Sequence, residues 1–409
     1  MAPKTAVLFL QLIVFFIRAS RSARNENLRS SSIAFTRNKR LLGYTIAIQR
    51  TPSVLSCAQR CLTSRECASF NYKCNSGMES EGMDSGGTCE LNHCEAVYQK
   101  AQGIEQRGWL YGYLQGKFWE RPTEFNFTFT TLGATGAFGP TNTSQYQGTS
   151  LDGDVQLDRG TQIWTVPTRG TYTIEALGAS GADGTNTTGA STKRSGGLGA
   201  RIKGTFYFLE NTILRILVGQ VGIPVQHGEP LPGGGGGGSF VTYTDGTPLI
   251  IAGGGGGGSA PWQGWHDGNA GQLSGDGSLE GGGTGGHGGR IYDIYEKSYD
   301  IPLPVGAGAG LKTNGASGVN ATGGSAYVNG GEGGLGTTGS EGGFGGGGAA
   351  FLYAGGGGGY SGGGVTRATR YSKSGGGGSY NAGSGQEGEV RGQKGEGRVV
   401  IILIRPDIG

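Results

Sequence analysis

The sequence predicts a mainly β protein in two parts. A small disulfide-stapled α+β module with one short helix comes first, and an antiparallel β-sandwich with inserted polyglycine helices follows. Three observations carry this reading. All six cysteines fall between Cys57 and Cys94. β-Branched and aromatic runs of strand length, such as Gln162–Val166, Gly170–Leu177 and Arg398–Ile404, recur along the rest of the chain. Finally, 90 of the 409 residues are glycine, gathered into tracts at Gly233–Gly238, Gly253–Gly258, Gly345–Gly348, Gly355–Gly359 and Gly375–Gly378.

The chain opens with Met1–Ser22, which has the pattern of a secretory signal. Lys4 supplies the charge, Thr5–Ile17 the apolar core, and Ser20 and Ser22 the small residues at the cleavage end. That core falls short of the roughly 20 apolar residues a spanning helix needs. The expected product is therefore secreted, extracellular and without a membrane span. The expected divisions are a signal peptide at 1–22, a first module at 32–118, a linker at 119–124 and a glycine-rich domain at 125–409. A formal net charge of +3 argues against a dedicated nucleic-acid binder, which would show a basic surface.

In the first module, Ile33–Phe35 and Leu41–Ile48 read as strands. Thr51 followed by Pro52 marks the start of a short helix running through Leu62, with Val54, Leu55, Ala58 and Leu62 as its buried stripe. Cys57 and Cys61, four apart, share one face of that helix. Cys67–Tyr72 and Thr88–Leu91 are further strands, separated by the polar loop Asn75–Gly87. An even, clustered set of cysteines in an exported chain is a disulfide framework, but six cysteines allow many pairings. Arg37-Asn-Lys-Arg40 fits a dibasic processing site, and it also fits a solvated rim at the start of the module; the second reading is preferred, since cleavage would remove the first strand.

The runs Cys57-Ala-Gln-Arg-Cys61-Leu62, Cys67-Ala-Ser-Phe-Asn-Tyr72 and Cys89-Glu-Leu91 resemble the PAN/Apple domain. The resemblance implies Cys57–Cys89 and Cys61–Cys67 disulfides and leaves Cys74–Cys94 as an additional pair. It also implies a module that binds proteins or carbohydrates and catalyses nothing.

In the second module, Phe125–Thr131, Gln162–Val166, Gly170–Leu177, Arg201–Leu209, Thr212–Val218, Phe240–Tyr243, Pro248–Ile251 and Arg398–Ile404 read as strands. Asn211-Thr212 and Asp245-Gly246 are turn signals between paired strands. Glycine tracts between strands of this kind need not be linkers. A left-handed helix with about three residues per turn has no internal hydrogen bonds. Made of glycine, such helices can lie side by side and bond backbone to backbone, which satisfies their buried amides.

The succession Gln162-Ile-Trp-Thr-Val-Pro167, Ile216-Leu-Val-Gly-Gln220, Gly233–Gly238 and Leu249-Ile-Ile-Ala-Gly-Gly254 resembles the glycine-rich extracellular region of the anaplastic lymphoma kinase and leukocyte tyrosine kinase receptors. That resemblance implies a TNF-like sandwich carrying glycine helices in a hexagonal bundle, in a region that binds small secreted cytokines. The receptors' cysteines, growth-factor-like module, membrane span and kinase have no counterpart in this sequence, so signalling across a membrane is not expected of it.

No catalytic, cofactor-binding or metal-binding residue is expected, and the chain reads as a non-enzyme. The glycine tracts match phosphate loops only by composition, since no βαβ unit surrounds them. His93, His227, His266 and His287 sit in loops without partners at metal spacing. Asp276, Asp293 and Asp300 are isolated, unlike the aspartates of calcium-binding glycine repeats. Four sequons offer glycosylation sites: Asn142, Asn186 and Asn320 in expected loops rank ahead of Asn126 in an expected strand. Ile291–Ile301 carries three tyrosines, either as a strand pair with amphipathic rings or as a site of oxidative cross-linking in a matrix.

The expected function is a secreted matrix or adhesion protein. Its first module would hold extracellular proteins or glycans and its glycine-rich body would serve structurally or self-associate, as in an organic matrix. A soluble cytokine-binding or decoy-receptor-like protein, or a non-catalytic subunit of a secreted complex, are the alternatives.

Overall fold

A computed structural model describes residues 32–42, 45–51, 54–63, 67–74, 87–93, 104–115, 125–186, 193–228, 230–260, 266–368 and 371–406. The protein is mainly β, and its chain divides into two compact units, Met1–Pro122 and Thr123–Asp407.

The first unit contains β1 (Ser32–Arg40), β2 (Thr45–Thr51), α1 (Val54–Thr63), β3 (Cys67–Cys74), β4 (Gly87–His93) and β5 (Ile104–Gln115). The strands form one antiparallel sheet in the order β1-β5-β3-β4-β2. Helix α1 lies on β3 and β4, and its Cys57, Ala58 and Cys61 pack with Cys67, Phe70, Tyr72, Cys89 and Leu91.

One expected strand moves. Leu41–Ile48 reads as continuous from its apolar pattern, yet β2 begins at Thr45 and Leu41 belongs to the connection. The reason is a side chain that substitutes for a neighbouring strand. Asn71 accepts from the Leu41 amide and donates to the Leu41 carbonyl, both at 2.8 Å, so this buried residue needs no ladder. Arg37–Arg40 lies within β1, paired to β5. Pro52 lies outside the described residues.

The second unit runs β6 (Phe125–Phe129), β7 (Val155–Asp158), β8 (Thr161–Thr165), β9 (Gly170–Leu177), β10 (Gly184–Thr185), β11 (Lys193–Arg194), β12 (Gly199–Phe208), β13 (Ile213–Leu217), β14 (Ser239–Tyr243) and β15 (Pro248–Ala252). It continues with β16 (Ile291–Asp293), β17 (Ser298–Tyr299), β18 (Val365–Ala368), β19 (Tyr371–Ser374), β20 (Tyr380–Asn381), β21 (Ser384–Gln393) and β22 (Arg398–Pro406). A five-stranded sheet β21-β12-β9-β22-β6 and a six-stranded sheet β20-β15-β14-β13-β8-β7 contribute to one apolar core. Alternate residues supply it: Phe127 and Phe129, Tyr172, Ile174 and Ala176, Leu214 and Ile216, Val399, Ile401 and Leu403. Trp164, fully buried, has its ring centroid 4.7 Å from that of Phe127.

Within the six-stranded sheet, β14 and β15 are buried on both faces. Val241 and Ile250 enter this core, while Phe240 and Ile251 turn the other way against Leu311 and Phe344. That explains why these two strands read as unbroken apolar runs. The expected turns are present: Asn211 has a positive φ of 64° between β12 and β13, and Gly246 one of 84° between β14 and β15.

The glycine tracts account for what lies beyond that second face. Gly233–Gly238 and Gly253–Gly258 are buried throughout. Their hydrogen bonds repeat every third residue. Gly234 and Gly237 donate to Ile223 and Gln220, Gly235 and Gly238 to Gly348 and Gly345, and Gly233 and Gly236 to Gly258 and Gly255, all at 2.8–3.3 Å. The second tract does the same: Gly254 and Gly257 donate to Gly358 and Gly355, and Gly255 and Gly258 to Ala179 and Ala182. Each tract therefore shows three faces to three neighbours, the period of a polyproline-II-type helix, and none of these bonds is internal to a tract. Side chains are excluded by contact. A Cβ on Gly237 would overlap the Phe344 carbonyl, and one on Gly235 the Gly356 carbonyl.

Candidate functional site

The first unit is built around α1. The helix brings Cys57 and Cys61 to one side, where Cys57 is bonded to Cys89 of β4 and Cys61 to Cys67 at the start of β3. Both links tie the helix to the sheet centre. Cys94, and with it the Cys74–Cys94 pairing, lies outside the described residues.

The opposite face of the sheet carries a polar network. Glu90 and Asn71 are cross-strand neighbours and both are buried. Arg40 reaches in from the end of β1, donating from Nε to Oε2 of Glu90 at 3.0 Å and from Nη2 to Oε1. Asn71 Nδ2 donates to the same Oε2 at 2.9 Å. A carboxylate taken out of water is costly unless it is paired and its lone pairs are used, and here both conditions hold. Arg40, the last residue of the basic run, thus has a structural task.

Strand β2 forms the outer rim beside this network. Its first four residues, Thr45–Ile48, are exposed, whereas Thr51 at the other end is buried. Ile48 is 67% exposed although its cross-strand partner Glu90 is buried, and Leu42 and Ile46 are exposed nearby. Arg60 of α1 donates to Gln49, which anchors the middle of the rim. A small module thus presents two large apolar side chains, Ile46 and Ile48, to solvent on an outer strand, with Leu42 exposed in the connection that leads to it.

Residues 32–107 match the PAN domain family. The first unit therefore carries a PAN domain. No curated protein matches the chain. A PAN domain is a module that binds protein or carbohydrate, and the rim of β2 is an exposed apolar part of this one among the described residues.

The remaining residues singled out by sequence are dispersed. Asn142 is exposed, and its Oδ1 accepts from the Ser144 hydroxyl at 2.6 Å. Asn320 is exposed at a positive φ of 61°, and Asn186 is half-buried. Asn126 is exposed too, although the strand placement is right. It lies on β6, the outer strand of its sheet, and points away from the core that Phe127 and Phe129 enter. His227 and His287 are exposed and His266 is half-buried, but His93 ends strand β4 rather than lying in a loop. Burial holds the His266 imidazole below its ordinary value, helped by Lys373 and Arg194. Asp293 is buried against Arg367 at 3.1 Å, and Asp300 pairs with Arg290 at 2.7 Å. Among the described residues, no group of three or more His, Cys, Asp or Glu is placed to hold a metal ion. No described helix is long and apolar enough to cross a membrane.

An open groove of about 500 Å³ in the second unit is lined by Asp183, Lys193, Val225, Leu231 and Lys394 among others. Asp183 accepts from the Gly196 amide at 3.1 Å and lies 3.9 Å from Lys394. Beside it, Glu396 accepts from the Val221 amide at 2.8 Å, and burial raises its carboxyl above the ordinary carboxylate range. These residues come from distant segments, and much of the wall is backbone, so no local motif marks the place.

Proposed function

We propose that this is a secreted, non-enzymatic extracellular binding protein. Its PAN domain takes a protein or carbohydrate partner at the β2 rim, and its glycine-rich unit serves as a stiff structural body. The observation that carries this is the rim itself: Ile46 and Ile48 on β2, with Leu42 in the connection before it, stay exposed on a PAN domain whose base is tied by Cys57–Cys89 and Cys61–Cys67. Apolar side chains presented on an outer strand suit partner binding by strand rim or flat surface. Disulfide-tied modules belong to oxidising compartments, which agrees with the signal-like Met1–Ser22. In a matrix, the backbone-bonded body would act as the inextensible part and the PAN domain as the adhesive one.

The test uses the full chain with disulfides intact, applied to immobilised extracellular matrix proteins and to neutral and sulfated glycans. Saturable retention that Ile48→Asp removes supports the assignment. Retention unchanged by Ile48→Asp and by Ile46→Asp would place binding elsewhere and refute the rim.

A second reading is a soluble cytokine-binding protein. The period-three glycine bundle supports it, because the receptor-like succession of motifs implies such a bundle in a cytokine-binding region. Saturable binding of one small secreted protein by the second unit's surface, indifferent to Ile48, would favour it.

A further inference from the structure

The second unit contains no cysteine, since all six lie between Cys57 and Cys94. Its covalent chain is therefore untied, and the tyrosine-rich hairpin offers another means of tying it. Strands β16 and β17 put Tyr292 directly across from Tyr299. Their ring centroids are 4.7 Å apart with planes tilted by 47°. Residues facing each other across antiparallel strands have Cβ atoms only about 5 Å apart, so the register itself enforces the contact. Tyr299 is 43% exposed and Tyr292 half-buried. The Tyr299 ring is further held from its other neighbours. The Arg290 guanidinium lies 4.2 Å from the ring centroid, and Arg290 donates to Asp300 through Nε at 3.0 Å and Nη2 at 2.7 Å.

We propose that Tyr292 and Tyr299 are an oxidative cross-linking site, joined by a carbon–carbon bond between the ring positions next to their hydroxyls. The oxidant is hydrogen peroxide acting through a haem peroxidase. Each phenol loses one electron and its hydroxyl proton, and the two radicals couple at ring carbons. The hydrogen on each coupled carbon then moves to the oxygen, restoring two phenols. One peroxide takes up the two electrons and two protons and leaves as two waters. The product is a stapled hairpin in the unit that lacks disulfides. Tyr360 and Tyr380 also stack, with centroids 4.9 Å apart, but they pack against the buried cluster around Phe240 and Phe344, so the proposal is confined to the hairpin.

The experiment treats the full chain, at low protein concentration, with a haem peroxidase and limiting peroxide. Dityrosine fluorescence is followed and the monomer is then digested with trypsin. Cleavage after Arg290, Lys297 and Lys312 separates the two tyrosines into peptides 291–297 and 298–312. The expected product is these two peptides joined, lighter than their sum by two hydrogens, at a yield independent of protein concentration. Tyr292→Phe and Tyr299→Phe each abolish it, while Tyr295→Phe, altering the exposed neighbour on the same turn, leaves it. Absence of the joined pair while free tyrosine couples in the same mixture would overturn the proposal. So would products that grow with protein concentration and persist in Tyr292→Phe.

Discussion

The PAN domain and the glycine bundle solve the same problem in opposite ways. Both must bury polar backbone in a small volume. The PAN domain does it with side chains and covalent links: a helix tied by Cys57–Cys89 and Cys61–Cys67, and Asn71 standing in for a strand beside Leu41. The bundle does it by removing side chains, so that tract carbonyls and amides bond directly to each other. The first solution is sensitive to redox state and to single polar groups. The second is sensitive to any added carbon.

The largest break in this comparison is a side chain inside the bundle. Gly237→Val puts bulk where the Phe344 carbonyl lies, and overpacking against backbone that cannot retreat should cost about 3 kcal/mol or more. Thermal unfolding of the full chain should lose or strongly lower the transition of the second unit, with the PAN transition kept. Next comes the PAN network. Arg40→Ala leaves the Glu90 carboxylate buried without its cation and should cost roughly 3 kcal/mol, read as a lowered denaturant midpoint of the first unit alone. Replacing Cys57 and Cys89 by alanine should cost the same unit about 2–5 kcal/mol, and reductant should mimic it while leaving the glycine-rich unit unmoved. Ile48→Asp, on the exposed rim, should change stability by no more than about 0.5 kcal/mol while removing partner binding.

The smallest effect is electrostatic. Burial raises the Glu396 carboxyl, so its folded value lies above its unfolded one. Ionising it therefore costs the fold stability, and that cost appears as pH rises from the unfolded value through the folded one. Glu396→Gln keeps an acceptor for the Val221 amide and should raise the melting temperature slightly at neutral pH. The difference should vanish below about pH 4, where both states hold the proton. A variant less stable than the parent at neutral pH would contradict this.

Much of the fold was legible in the sequence because alternation and turn chemistry are local. Gly170–Leu177 is the observed β9 residue for residue, and Pro248–Ile251 differs from β15 by one. Strand β21 was not legible: SGQEGEVRGQ is polar and glycine-broken, and it is a strand because it pairs along β12. Leu41 misled for the opposite reason, since its apolar neighbours suggest a strand and only the distant Asn71 decides otherwise. Glu90 is one residue of a resemblance motif, but nothing local says that Arg40 would reach it across the sheet. The groove by Asp183 is assembled from backbone of separate segments, and glycine tracts offer no side chains from which to read a wall.

The glycine tracts are packed structure held by backbone hydrogen bonds. Amide hydrogen exchange across Gly233–Gly258 in the full, disulfide-intact chain tests it most directly. Protection of Gly233–Gly238 and Gly253–Gly258 should be comparable to that of β9 and β13 in the sandwich core. Exchange of these amides at unfolded-chain rates, with the core strands protected, would contradict it.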